Sequence, residues 1–362
     1  MGRVKTMEKI WQAFMLKGKV VSCTRYGSGH INETYLLHTD APHDYILQKI
    51  NRRIFKNVEQ LMENAAAVTK HLIEKDANPR HTQRLIAASD GKAWHVDAAG
   101  EYWRVYDFIA DSVSLDRPET AEDFYQSAVA FGHFQMQLAD FPAETLHETI
   151  PHFHDTPARY ENFKRAVQED VCGRLESVKA EVDFILAREN DARVMMDLLK
   201  EGKLPLRVTH NDTKLNNVLL DKNTRKPLCV IDLDTVMPGL AANDFGDSIR
   251  FGASTADEDE QNLDKVEMSL ELFETYARGF LGACGGRLTE LEIKTLPWGA
   301  KLMTLECGVR FLTDYLQGDV YFATHYPMQN LYRCRTQLKL VWDMEQKWEQ
   351  MQQIICDISE GK

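Results

Sequence analysis

Short alternating runs of apolar and polar residues fill the first third of the chain. Gly, Asp or Pro bounds each run, which indicates strands joined by turns. The predicted strands cover residues 20–25, 34–38, 45–50, 85–87, 93–96 and 103–108. One helix is predicted among them, over residues 58–73, because Leu61, Ala65, Val68 and Leu72 recur at helical spacing.

Helical periodicity dominates after residue 109. The predicted helices cover residues 121–138, 157–167, 178–199, 264–281, 291–315 and 331–358, and short strands at 206–209, 218–220 and 228–231 interrupt them. This order predicts an α+β fold with two lobes: a β-rich lobe with one inserted helix at residues 1–108, and a larger helical lobe at 109–362. No internal repeat or low-complexity tract is present.

Composition narrows the possible partners. The 362 residues include 43 Lys and Arg against 55 Asp and Glu, and a net charge of −12 argues against nucleic acid. The seven cysteines are scattered without a C-x-x-C pair, which is typical of reduced thiols. The first residues lack a signal-like apolar stretch, and no run resembles a membrane span. These features predict a soluble cytoplasmic protein, monomeric or a small homo-oligomer, with no membrane partner.

The segment from His210 to Asn217 carries the clearest chemical signal. It follows an apolar strand and reads H-x-D-x-K-x-x-N. Phosphoryl transfer from ATP needs a carboxylate that accepts the proton of the attacking hydroxyl, and magnesium that neutralises phosphate oxygens. In this pattern Asp212 is the expected base and Asn217 a magnesium ligand. Lys214 lies where a cation offsets charge in the transition state.

A second magnesium ligand is expected just beyond the hairpin that follows Asn217. Asp232 lies at the exit of the second hairpin strand, in the sequence Asp232-Leu233-Asp234. Carboxylate and amide oxygens suit Mg²⁺. The triplet that starts at Asp244 copies the D-F-G signature of protein kinases, but it comes much later in the chain. We therefore assign the metal to Asp232 and expect Asp244 to hold the local fold or line the substrate side.

Two segments of the β-rich lobe are candidates for nucleotide binding. Gly27 and Gly29 lie between two predicted strands, where glycine lets the backbone approach phosphate, and Asn32 occupies the place of a third glycine. The last predicted strand of the lobe runs towards Asp107 and Ile109, where backbone groups would meet adenine. Together these segments predict a lid over the phosphates and an adenine site.

A kinase also needs a strand lysine paired with a helix glutamate. Lys49 is the chemically sensible strand residue, but side chains alternate across a strand, so Gln48 points the other way and is an alternative. Glu59 and Glu63 are candidates for the helix partner, and Asn64 is a third. The sequence leaves this pair open.

These segments resemble the aminoglycoside phosphotransferase/choline kinase superfamily, and within it the N-acetylhexosamine 1-kinases. The matching stretches are residues 26–32, 103–106, 152–156, 207–217, 231–235, 244–252 and 321–324. The resemblance implies that ATP and Mg²⁺ serve to phosphorylate the anomeric hydroxyl of N-acetylglucosamine or N-acetylgalactosamine, with Asp212 as base near O1. It also implies sugar contacts by His30, Phe251, Arg310 and Tyr321.

Three alternatives remain open at this point. A kinase of the same fold could act on an aminoglycoside, choline or homoserine. A pseudokinase could bind partners through the C-terminal helix, although the complete set of base and metal ligands argues against it. Zinc could bind at His152 and His154, but no third ligand follows at a familiar spacing.

Overall fold

A computed structural model of the protein describes residues 2–27 and 31–361. The strands are β1 (Val20–Arg25), β2 (Glu33–Thr39), β3 (Tyr45–Lys49), β4 (Leu85–Ile86), β5 (His95–Val96), β6 (Tyr102–Asp107), β7 (Ser112–Val113), β8 (Arg207–Thr209), β9 (Val218–Asp221), β10 (Pro227–Val230) and β11 (Met237–Gly239). The helices are α1 (Gly2–Trp11), α2 (Val58–Lys75), α3 (Ala121–Gln137), α4 (Thr156–Glu169), α5 (Lys179–Leu186), α6 (Glu189–Lys200), α7 (Ala241–Gly252), α8 (Leu270–Cys284), α9 (Glu290–Lys294), α10 (Leu296–Leu316), α11 (Gln329–Gln346) and α12 (Trp348–Ser359).

The chain forms two compact units, and each draws on more than one segment. The first contains the chain up to Ser114 together with Asp140–Pro151 and Val218–Met237. The second contains Leu115–Ala139, His152–Asn217 and the chain from Pro238 onward. The predicted domain boundary between residues 108 and 109 stays a prediction.

An antiparallel sheet forms the centre of the first unit. Its strands follow the order β1-β2-β3-β6-β4, and β5 pairs with β6. On one face, the buried Leu47 and Val105 pack with Ile10 and Phe14 from the start of the chain. The opposite face carries a second buried group around Ile46. Strands β7, β9 and β10 form a separate small sheet in the same unit.

Helices build the second unit, and close approaches between them depend on glycine. A Cβ added at Gly246 of α7 would lie 2.2 Å from the carbonyl oxygen of Gly299 in α10. A Cβ at Gly132 of α3 would lie 2.4 Å from the carbonyl oxygen of Phe280 in α8. These glycines let helix backbones touch, so the Gly of the D-F-G triplet has a packing role in this protein.

The fold-class prediction is confirmed: an antiparallel sheet occupies the N-terminal part and helices dominate the C-terminal part. Helix α7 went unpredicted, because its two glycines and two aspartates have low helix propensity. The three long helices predicted at 178–199, 291–315 and 331–358 are each divided in two. At the second division, Pro297 occupies the first turn of α10, where proline is tolerated but cannot continue α9.

Across the described part of the chain, no helix combines the length and the apolar character that crossing a bilayer requires.

Candidate active site

Strand β8 leads into a buried loop that begins at His210. Val208, Thr209 and His210 are almost entirely inaccessible. The imidazole packs edge-on against Phe131 and Phe134 of α3, with ring centroids 5.5 and 6.0 Å away. The histidine of the motif is therefore held inside the helical unit, and it fixes where the loop leaves the strand.

Asp244 fixes the backbone conformation of this loop. Its carboxylate accepts hydrogen bonds from the backbone N–H of His210 at 2.9 Å and of Asn211 at 2.8 Å, and from Nε2 of Gln135 at 2.8 Å. Asn211 has a φ of 63°, a left-handed conformation that is costly for a non-glycine residue. Because the loop is strained at this point, the three contacts to Asp244 stabilise a shape that the chain would otherwise avoid.

Asp212 follows the strained residue and forms a charged pair with Lys214. The Lys214 Nζ lies 2.9 Å from Oδ1 of Asp212, and both side chains are partly exposed, Lys214 by 38% and Asp212 by 26%. Burial alone would raise the pKa of Asp212, but Lys214, His210 and Arg250 outweigh it and hold that pKa below its ordinary value. The same pairing raises the pKa of Lys214 to about 12. At neutral pH, Asp212 is therefore an ionised carboxylate that can accept a proton.

The amide of Asn217 is oriented by the same carboxylate. Its Nδ2 donates to the backbone oxygen of Asp212 at 2.8 Å and to Oδ2 of the Asp212 side chain at 3.2 Å. Because Nδ2 points at Asp212, the amide oxygen of Asn217 points away from Asp212. Asn217 is nearly buried, so this orientation is well constrained.

In the first unit, the Asp232-Leu233-Asp234 segment places its two carboxylates in different environments. Asp232 has left-handed backbone angles, with φ 62° and ψ 61°. Asp234 is buried, pairs with Arg104, and accepts a hydrogen bond from Nδ2 of Asn32 at 2.6 Å. Hard oxygens at Asp232 and Asn217 are of the type that Mg²⁺ selects, so the donor chemistry fits this ion. No group of three or more His, Cys, Asp or Glu suited to a metal occurs in residues 2–27 and 31–361.

The glycine-rich segment is only partly described. Gly27 has a φ of 76°, and a Cβ there would meet no atom of residues 2–27 and 31–361 within 4 Å, so it is the backbone conformation that favours glycine here. Gly29 and His30 lie outside the described residues. Asn32, at the predicted third glycine position, instead binds Asp234 and accepts a hydrogen bond from the N–H of Asn51 at 3.0 Å.

Strand β3 places Gln48 and Lys49 on opposite faces of the sheet. The Oε1 of Gln48 accepts a hydrogen bond from Nε of Arg104 at 2.9 Å. The Nζ of Lys49 instead lies 3.7 Å from Glu33 and 3.2 Å from Glu101. Lys49 therefore points away from the face that carries Arg104. Its proposed phosphate contact stays a prediction, and the placement favours the Gln48 face.

The predicted adenine residues end the sheet. Oδ1 of Asp107 lies 2.8 Å from Nε2 of His43, and the Asp107 N–H donates to the backbone oxygen of Arg84. Ile109 is buried, and its carbonyl oxygen accepts a hydrogen bond from Oγ of Ser112 at 2.6 Å. Both residues flank an apolar face of the same unit, formed by Leu36, Ile46, Tyr106 and Phe108.

Two of the predicted substrate residues line one cavity of the second unit. Arg310 and Tyr321 border a space of about 220 Å³ together with Arg159, Arg165 and Phe322. The Arg310 guanidinium lies 5.9 Å from the centroid of the Tyr321 ring and 5.4 Å from that of Phe322. The cavity thus combines aromatic surface with a cluster of positive charge.

Phe251 lies outside that cavity lining, at the end of α7 and next to Arg250. Arg250 is buried, with its guanidinium 3.1 Å from Asp247 and 3.0 Å from Glu258. Burial raises the pKa of the Cys307 thiol to about 11, against the opposing charges of Arg250 and Arg310. The positive charge of Arg250 therefore favours the ionised forms of both Asp212 and Cys307.

Comparison with known proteins identifies the family. A family model described as a phosphotransferase enzyme family, APH, matches residues 22–279, which is well over half of the chain. The chain belongs to this phosphotransferase family.

Solved structures share the fold of this phosphotransferase at low sequence identity. An amicoumacin kinase in complex with AMP-PNP, Ca²⁺ and Ami has a TM-score of 0.62 at 14% identity, over 96% of this chain and 97% of that one. A spectinomycin phosphotransferase in complex with ADP and spectinomycin has a TM-score of 0.60 at 12% identity, over 95% and 98%. A microcompartment-associated aminopropanol kinase has a TM-score of 0.59 at 15% identity, over 96% and 98%.

Sequence reasoning missed several residues of the phosphotransferase that have clear structural roles. Arg159 lines the cavity and donates to the backbone oxygen of Phe153 at 2.8 Å. Glu306 is buried and lies 3.0 Å from Nδ1 of His154. Pairing with this carboxylate explains the His154 side chain without zinc. The presence of His154 in the stretch 152–156 was the available signal, but nothing in the sequence pointed to its partner.

Proposed function

We propose that this protein is an ATP- and Mg²⁺-dependent kinase that phosphorylates the anomeric hydroxyl of N-acetylhexosamines to give sugar 1-phosphates. The observation that carries the phosphoryl-transfer part of the proposal is the arrangement at Asp212, an ionised carboxylate paired with Lys214 and hydrogen-bonded to Asn217. The family match supports phosphoryl transfer, and the nucleotides in complexes of two proteins of the same fold, AMP-PNP and ADP, support ATP as donor.

In this mechanism Asp212 accepts the proton of the acceptor hydroxyl as that oxygen attacks the γ-phosphorus of ATP. Lys214 keeps Asp212 ionised and offsets negative charge on the transferred group. Asn217 and Asp232 would hold Mg²⁺, which when bound neutralises phosphate oxygens. The bond from the γ-phosphorus to the β,γ-bridging oxygen breaks, so ADP leaves and the phosphoryl group ends on the sugar oxygen.

The choice of a neutral acceptor rests on charge as well as on resemblance. The cavity at Arg310 and Tyr321 also carries Arg159 and Arg165. Asp314 also lines the cavity, but its carboxylate is engaged in the fold: it accepts hydrogen bonds from the backbone N–H groups of residues 320, 321 and 322. A cationic acceptor such as choline or an aminoglycoside would meet repulsion there, whereas arginine donors suit sugar hydroxyls and an acetamido carbonyl.

A second candidate remains within the same chemistry, namely a kinase for another small alcohol. The relatives include an aminopropanol kinase and an ethanolamine kinase from Plasmodium vivax. The positive cavity is the observation that separates the two candidates, since amino alcohols are cations at neutral pH.

An acceptor panel tests the proposal. ADP release would be measured with N-acetylglucosamine, N-acetylgalactosamine, glucose, galactose, choline, ethanolamine and an aminoglycoside, with Asp212→Asn as the inactive control. We expect turnover with the two N-acetylhexosamines and background rates with the cations. Turnover with choline, ethanolamine or the aminoglycoside alone would contradict the proposed acceptor, and Asp212-independent turnover would contradict the proposed base.

A further inference from the structure

Arg104 is completely buried in strand β6, which is unusual for arginine. Its Nε donates to Oε1 of Gln48, and its Nη1 pairs with the carboxylate of Asp234. Its Nη2 is buried and has no hydrogen-bond partner within the described part of the chain. An open buried donor is costly, so Arg104 is not explained by packing alone.

Asp234 is the other centre of this network. One oxygen contacts Arg104, and the other accepts the hydrogen bond from Asn32, at the end of the glycine-rich segment. Asn32 is itself anchored by the N–H of Asn51 at 3.0 Å. The carboxylate two residues after Asp232 is therefore held from two separate parts of the sheet.

The lysine–glutamate pair expected of kinases is not formed by the candidate residues. Lys49 pairs with Glu33 and Glu101 on the opposite face of β3. On helix α2, Asn64 donates from Nδ2 to the backbone oxygens of His147 at 2.8 Å and Val236 at 3.1 Å. The helix is thus joined to the Asp232 segment through a neutral amide, and Arg104 supplies the buried positive charge.

We propose that Arg104 is a positioning residue for nucleotide binding. Its guanidinium fixes the carboxylate of Asp234, and this holds Asp232 in the conformation that binds Mg²⁺. The left-handed backbone at Asp232 is unfavourable for a residue other than glycine and needs outside support. The fixed carboxylate of Asp234 provides that support directly downstream. This inference rests on the proposed function, because it presupposes that Asp232 binds the metal of a nucleotide complex.

The test measures MgADP binding by titration calorimetry, which requires no acceptor and no turnover. ADP would be titrated into the wild type, Arg104→Met, Arg104→Lys and Lys49→Met, each at a series of Mg²⁺ concentrations. Residues that orient a metal ligand typically contribute roughly 10- to 100-fold to metal affinity. We expect Arg104→Met to raise the half-saturating Mg²⁺ concentration by that factor, with metal-free ADP affinity unchanged. Arg104→Lys should recover part of the loss, and Lys49→Met, which removes the rival cation, should lose less Mg²⁺ affinity than Arg104→Met.

Weakened Mg²⁺ dependence in Lys49→Met, with wild-type behaviour in Arg104→Met, would overturn the inference. The inference would also fail if Arg104→Met unfolded at a lower temperature but kept the wild-type Mg²⁺ dependence of ADP binding. If Arg104→Met does not fold, Asp234→Asn decides the question, because it keeps Arg104 and an acceptor oxygen. An unchanged Mg²⁺ dependence in that variant overturns the inference. Failure of the wild type to bind MgADP would instead contradict the proposed function itself.

Discussion

Replacement of Asp244 by alanine separates a structural role from a metal-binding role for the D-F-G triplet. The substitution removes the acceptor for the backbone N–H groups of His210 and Asn211 and for Nε2 of Gln135. All four residues are buried, so water cannot readily replace the lost carboxylate. The left-handed backbone at Asn211 also loses the contacts that stabilise it.

The magnitude follows from these three contacts. A buried donor left without an acceptor costs about 1–3 kcal/mol, and a sum over three is an upper bound because the loop relaxes. We therefore expect Asp244→Ala to lower the free energy of unfolding by about 4 kcal/mol. Asp244→Asn should cost less, since one oxygen can still accept while the new amide N–H₂ faces a donor.

Urea unfolding followed by tryptophan fluorescence measures the loss of stability, and calorimetric titration with MgADP measures the metal site on folded protein. We expect a large loss of stability and of turnover, because the loop that carries Asp212 relaxes, and we expect MgADP binding to be retained. Wild-type stability combined with lost Mg²⁺-dependent binding would refute the reasoning, since Asp244 would then be the metal ligand.

Three further changes test separate parts of the account. Lys214→Met removes a charge that lowers the pKa of Asp212, so burial should raise that pKa. The acid limb of the kcat/KM profile should then move to higher pH. An acid limb at the wild-type pH would contradict the pairing of Lys214 with Asp212. Gly246→Ala would place a methyl group 2.2 Å from the backbone of the neighbouring helix and should destabilise the protein by about 3 kcal/mol. Gly282→Ala, where a Cβ meets no atom of the described residues within 4 Å, should be neutral or stabilising in the same urea titration. Asp232→Ala should lose Mg²⁺-stimulated turnover, and its unfolding midpoint should fall modestly because alanine tolerates the left-handed backbone less well than aspartate. Full Mg²⁺ stimulation would exclude Asp232 as a ligand.

Interactions that are local in sequence could be predicted from the sequence, and interactions between distant residues could not. His210, Asp212, Lys214 and Asn217 lie within one short segment, so their spacing alone was enough to group them in one candidate site. The structure places the amine of Lys214 and the amide of Asn217 beside the Asp212 carboxylate. Their roles in catalysis stay predictions until they are tested by mutation.

The Gln48 and Lys49 alternatives show where sequence reasoning stops. Alternation establishes that the two side chains face opposite sides of β3, but not which side the rest of the unit covers. That depends on Arg104, whose partner Asp234 lies far away in the chain. A buried arginine on a strand looks like an ordinary exposed cation in the sequence, so nothing indicated this pair.

Helix α7 illustrates a second limit. Its sequence contains Gly246, Gly252, Asp244 and Asp247, which disfavour a helix in isolation. Tertiary contacts outweigh that propensity, because Gly246 allows close packing and Asp244 accepts hydrogen bonds from the loop that carries Asp212 instead of competing with its own backbone.

The most direct test of the central claim is the identity of the phosphorylated atom. Phosphorus NMR of a reaction with N-acetylglucosamine, ATP and Mg²⁺ should show a new sugar phosphate resonance coupled to the anomeric proton. Asp212→Asn should bind MgADP and yet form none of this product. A phosphate on another hydroxyl, no sugar phosphate with the wild type, or normal product from Asp212→Asn would contradict the account.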